Sequence, residues 1–207
     1  MRAAVYAQNQ AEERKANEAD PGRAVFVADC DAFLAQLAER YFRVTSEAVK
    51  AADPNHLVFG CRFAYVPPQP VVEAAARYLD AISFNCYDSD PGRAIAAYSV
   101  FGKPLLIGEF SFRGADSGLP NTQGAGPKVP TQADRASAFA RYVTAALRHP
   151  NVVGYHWFEH ADEPREGRFD GENSNYGVVD IRDNVYQALT DEMTRINNQA
   201  ETLHEKP

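Results

Sequence analysis

Glu109 follows Leu105-Leu106-Ile107-Gly108 and precedes Phe110-Ser111-Phe112, so one charge is set inside an otherwise apolar run. A buried carboxylate is unfavourable unless it is paired or serves a chemical purpose. Two readings stay open at this level: an ion pair with an inward arginine such as Arg62, or a reacting group. The one tryptophan, Trp157, stands in His156-Trp157-Phe158-Glu159-His160. It either fills the core or offers its indole to the C–H face of a sugar ring, with polar neighbours for the hydroxyls. His156 and His160 are four apart, a metal-binding spacing on a helix; on a strand it separates them by about 13 Å, so no metal site is expected.

These residues need elements to hold them, and the hydrophobic pattern supplies an alternation. Residues 1–28 are polar and broken at Pro21-Gly22, which predicts a loose helix, then a linker with little packing. From Asp31, the residues Phe33, Leu34, Leu37, Tyr41, Val44, Ala48 and Val49 recur at helical spacing until Asp53-Pro54, a helix of about six turns. Short apolar runs follow at 56–63, 81–85, 104–110 and 152–158, each of the kind expected for a parallel strand buried on both faces. Helical patterns lie between them at 71–79, 94–100 and 131–148, the last opened by Thr131 with Asp134 three residues on, and a helix over 185–196 closes the pattern. The fold class is therefore α/β, with a parallel sheet built from successive βα units and a main domain over 29–207. Four strands make half a barrel or a small open sheet, and periodicity does not choose between them.

Two loops interrupt the alternation. Residues 111–130 are rich in Gly, Pro and Ser and too long for a plain connector, which predicts a functional loop. Residues 170–177, Asp-Gly-Glu-Asn-Ser-Asn-Tyr-Gly, carry turn-forming residues; a surface loop fits them, whereas the spacing of a calcium-binding EF-hand does not.

The chemistry gathers at one rim: Arg62 after the first strand, Asn85, Tyr87 and Asp88 after the second, Glu109 on the third, and His156, Trp157, Glu159, His160 and Asp162 at the fourth. In parallel α/β architectures the C-terminal strand ends are where ligands bind. Composition fits an ordinary globular chain, with 207 residues, 45% hydrophobic and 24% charged. A net charge of -7 gives no basic field for nucleic acid. Three cysteines without paired spacing suggest reduced, mostly buried thiols. No apolar run suits a signal peptide or a membrane span, so neither a membrane partner nor export is expected of the chain as it stands, although exported relatives would carry a leader upstream.

The runs PLLIGEFSF, VVGYHWFEHADEP and DGENSNYGVVD resemble the β-agarase group of retaining glycoside hydrolases in the large (β/α)8 clan, over roughly residues 31–190. The resemblance implies that the four strands are strands five to eight of a TIM-type barrel. It implies Glu109 as nucleophile, Tyr87 as the residue that orients it, and Trp157 as the floor of a sugar subsite. His156, Asn85, Arg62, Glu159, His160 and Asp162 become substrate contacts, the partner an oligo- or polysaccharide, and no cofactor is called for. The clan's acid/base glutamate follows an asparagine at the end of strand four. The one Asn-Glu here, Asn17-Glu18, has no strand before it. The expectation is then a half-barrel completed by a missing N-terminal half or by a second copy, or one that binds carbohydrate without turnover.

Overall fold

The structure is a computed structural model and describes residues 12, 15 and 20–205; most of the expected N-terminal helix lies outside them. Asp20 caps the first long helix, α1 (Pro21–Ala52), accepting from the amides of Gly22 and Arg23 at 2.9 and 3.3 Å. Pro21 occupies the first turn, where a missing N–H is no loss. The Pro-Gly pair thus starts a helix that runs unbroken through residue 28. It ends before Asp53-Pro54, where the pattern placed its end.

The described core is a three-stranded parallel sheet in the order β1 (Ile82–Asn85), β2 (Leu105–Phe110), β5 (Val152–Trp157). Helix α2 (Gln69–Tyr78) precedes β1, α3 (Gly92–Ser99) joins β1 to β2, and α4 (Gln132–Leu147) leads into β5. Helices α5 (Gln187–Asn197) and α6 (Ala200–Glu205) follow it. Thr131 and Asp134 form the capping box expected for α4, each side chain accepting from the other's backbone amide.

Residues 56–63 differ from the expected strand. Phe63 alone bridges to Phe84, with the Phe63 amide donating to the Ser83 carbonyl and the Asn85 amide to the Phe63 carbonyl. Gly60 turns the chain at φ +65°, a conformation that L side chains rarely adopt, and this breaks the extended run before it can pair. Leu57 and Tyr65 on either side of the bridge are exposed, as are Phe33, Leu37 and Tyr41 on α1.

A register shift in β2 decides which side chains face where. Ile107 pairs with Phe84 and Tyr155, Glu109 with Asn85, and Phe110 with Trp157, so both neighbouring strands skip a residue near Gly108. Phe84 stacks on Tyr98 of α3, and Phe110 stacks on Tyr142 of α4. Ile107 and Phe110 therefore lie on the helix-covered face although three residues apart, a spacing that period-2 alternation forbids. The bulge absorbs the extra residue and turns Glu109 to the opposite, open face.

Candidate active site

Glu109 lies on the open face of β2 near its C-terminal end, with a side chain 16% exposed. Its two carboxylate oxygens are held differently. Oε2 accepts from Asn85 Nδ2 at 2.7 Å and from the Tyr87 hydroxyl at 2.8 Å, while Oε1 meets Arg62 Nη2 at 2.5 Å. Asn85 ends β1 one register position across, which sets its amide beside the carboxylate.

Tyr87 is placed by two backbone links around Cys86. The Cys86 amide donates to the Glu109 carbonyl, and the Tyr142 hydroxyl of α4 donates to the Cys86 carbonyl at 2.8 Å. Burial first, then the hydrogen bond and charge of Glu109, push the Tyr87 phenol well above its ordinary range, so it stays a donor.

The structure brings Arg62, Asn85, Tyr87 and Glu109 together and disperses the rest. Trp157 faces the helix layer, not the carboxylate. Its indole meets Phe110 and Phe139 edge-on, carries the Arg135 guanidinium 5.3 Å from its ring centre, and donates from Nε1 to the Tyr176 carbonyl. It is half-buried and packs between sheet and α4, away from Glu109, where the sequence expected a sugar floor. The aromatic ring on the carboxylate's side is Phe158, whose centroid lies 6.3 Å from that of Tyr87 in an edge-on arrangement. The residue after a strand-end tryptophan gives no composition signal, which is why Phe158 went unnoticed.

Asp162 is likewise structural. It is 7% exposed, and its oxygens accept from Asn175 Nδ2, the Gly177 amide and the Tyr186 hydroxyl at 2.8, 2.8 and 2.6 Å. Burial raises its pKa while these donors and Arg135 oppose the rise. His156 and His160 are both exposed, and the His160 carbonyl accepts from the amides of Val178 and Val179.

Glu159 joins a cluster around Arg168. That guanidinium reaches Glu163 at 2.7 Å, Asp170 and Glu172 at 2.9 Å and Glu159 at 3.9 Å, and lies 5.6 Å from the ring centre of Phe158. Burial, then a hydrogen bond and repulsion from Glu163, push the Glu159 carboxyl up to about 7, with Arg168 opposing.

The two long loops lock together over this rim. The short strands β3 (Arg113–Gly114) and β4 (Lys128–Val129) pair in parallel within the first loop. Asn173 Oδ1 accepts from the amides of Thr122 and Gln123, Asn121 Oδ1 accepts from the Asn175 amide, and Asn175 Oδ1 accepts from the Gly114 amide. Ser174 and Asn175 are fully buried, so the segment 170–177 is a clasp rather than a surface loop. Asn175 can be buried because its side chain substitutes for missing backbone partners.

No family model matches the chain. It is 39% identical over 177 residues to β-agarase A of Vibrio sp. (strain JT0107), a match covering 80% of this chain and 17% of that protein. Among solved structures, an exo-β-agarase superposes with a TM-score of 0.80 at 37% identity, over 86% of this chain and 24% of that one. The agarase AgWH50C gives a TM-score of 0.79 at 35% identity, over 91% and 31%. The chain thus spans under a fifth of the curated relative's length and no more than about a third of either solved structure. By sequence and by superposition it is similar to one region of the β-agarases.

Proposed function

We propose that this chain forms strands five to eight of a (β/α)8 barrel and carries the nucleophile of a retaining glycoside hydrolase acting on a β-linked galactan or a related polysaccharide. The observation that carries the reading is the three-donor cradle around Glu109, at the strand end where barrel enzymes place catalytic groups. In a retaining mechanism one carboxylate attacks the anomeric carbon as the leaving oxygen departs. A second carboxyl, about 5–5.5 Å away, protonates that oxygen and then activates water against the glycosyl ester. Glu109 fills the first role. Tyr87, held protonated, keeps the carboxylate turned to the sugar, and Phe158 offers the apolar face beside it. The second carboxyl comes from the strand-four end of the complete barrel.

The 57–66 segment supports completion by another half. It pairs through the Phe63 bridge and leaves Leu57 and Tyr65 in water, as an edge awaiting strand four would. The test mixes this chain with the N-terminal barrel half of a β-agarase and follows agaro-oligosaccharide release and product anomer. Turnover in the mixture alone, with retention and with loss in Glu109→Gln, supports the proposal. Turnover that survives Glu109→Gln removes Glu109 from the chemistry. Turnover by the chain alone, monomeric by light scattering, removes the half-barrel. Oligosaccharide binding without turnover in either preparation makes the chain a carbohydrate-binding module instead.

A further inference from the structure

We infer that Arg62 is the positioning residue that selects which oxygen of Glu109 faces the substrate, and that Gly108 exists to let it do so. The inference rests on Glu109 being the nucleophile. Oε2 is fixed by two donors from β1 and its C-terminal extension, so it has little acceptor capacity left. Among the described residues Oε1 is held by Arg62 alone, a side chain 49% exposed. A guanidinium on that oxygen keeps the carboxylate plane rotated so that Oε1 points outward, where a ring carbon can reach it.

Gly108 supplies an independent observation. A Cβ built there would lie 2.2 Å from Arg62 Cδ and 2.9 Å from Cγ, distances that real side chains do not reach. The aliphatic stem of Arg62 therefore lies directly across the Gly108 backbone on its way to Glu109. Gly108 does not have positive φ, so turn geometry does not demand glycine here. Close approach of the arginine does.

Two substitutions should then produce the same defect. Arg62→Ala removes the guanidinium, and Gly108→Ala displaces it while leaving the arginine in the sequence. The readout is the ¹³C signal of the Glu109 side-chain carboxyl in glutamate-labelled protein, identified by its absence in Glu109→Gln. The measurement needs no turnover, so it can fail while the glycosidase reading stands, and the reverse. Both variants should move this signal in the same direction. Millimolar methylguanidinium should return it towards the wild-type position in Arg62→Ala but not in Gly108→Ala, where the added methyl fills the path. An unmoved signal in Arg62→Ala overturns the inference, as does a Gly108→Ala signal that stays at the wild-type position. Should Gly108→Ala fail to fold, Arg62→Ala with and without methylguanidinium decides alone: lack of rescue overturns it.

Discussion

Replacing Asp162 separates a hydrogen-bond role from a charge role, because its two oxygens are used differently. Oδ1 accepts from Asn175 Nδ2 and the Gly177 amide, donors that cannot reverse, while Oδ2 accepts from the Tyr186 hydroxyl, which can rotate and accept instead. Asp162→Asn therefore retains all three contacts and removes only the charge that faces the buried Arg135. Arg135 is fully buried, and burial already lowers its pKa to about 10 against the pull of Asp162, so losing that charge should cost about 1–2 kcal/mol. Asp162→Ala strands two buried donors and the part-buried Tyr186 hydroxyl as well as the arginine, and should cost about 3–5 kcal/mol. For a chain of this size, with a urea dependence of about 2–3 kcal/mol per molar, the alanine variant should shift the unfolding midpoint by about 1.5 M and the asparagine variant by about 0.5 M. Equilibrium urea unfolding followed by circular dichroism measures both. Midpoints of the two variants that coincide would refute the hydrogen-bond assignment, and an unshifted Asp162→Asn would refute the charge coupling to Arg135.

Other substitutions test the rim. Trp157→Ala should lose about 3–5 kcal/mol of stability by opening a cavity between β5 and α4. Because Trp157 is the only tryptophan, its fluorescence should stay unchanged on titration with agaro-oligosaccharide; quenching would restore it as a sugar contact. Phe158→Ala should weaken oligosaccharide binding at least tenfold by isothermal calorimetry, and leave the melting temperature within a few degrees of wild type. Glu159 gives a pH dependence of defined sign. Its folded pKa, about 7, lies above its ordinary value of 4.5, so the folded chain holds the proton in that window and the unfolded chain releases it. Stability from this group therefore rises as pH falls from about 7 towards about 4.5. Glu159→Gln should flatten the slope of melting temperature against pH there, whereas an unaltered slope would assign it elsewhere.

The sequence pattern showed most of the scaffold because its strands and helices bury faces of fixed period. The 81–85, 104–110 and 152–158 runs fold as strands within one residue or so of their expected ends, and Thr131 with Asp134 caps the helix it was expected to open. The 56–63 run misled because Gly60 turns the chain at φ +65°, leaving Leu57 exposed while Val58 and Phe63 stay in the core. The clasp between 121–125 and 173–176 was invisible because its partners are about fifty residues apart and joined by side-chain amides, which leave no periodic trace. Arg135 had a signal that was not used: it lies four residues before Phe139 and seven before Tyr142, on the same apolar stripe of α4, and a charge on such a stripe must be buried. The strand pattern put Tyr87 at the rim, but its orienting role came from the resemblance, since a tyrosine after a strand says nothing about what its hydroxyl meets.

Glu109 shows why its chemistry could be suspected from sequence while its orientation could not. In Leu105-Leu106-Ile107-Gly108-Glu109-Phe110, strict alternation puts Glu109 on the same face as Leu105 and Ile107. That face packs against the helices, where the carboxylate would be buried without its three donors. The bulge at Gly108 reverses the phase for the last two residues: Phe110 takes the helix face and stacks on Tyr142, and Glu109 takes the open one beside Asn85. The same glycine clears the path for Arg62. The bulge thus turns the carboxylate outward, and the missing Cβ at the same position admits the cation that holds it there. Any substitution at 108 should consequently disturb Glu109 more than its small size suggests, and one that also removes Arg62 should disturb packing less than the single change, because the atoms that the new Cβ would strike are gone.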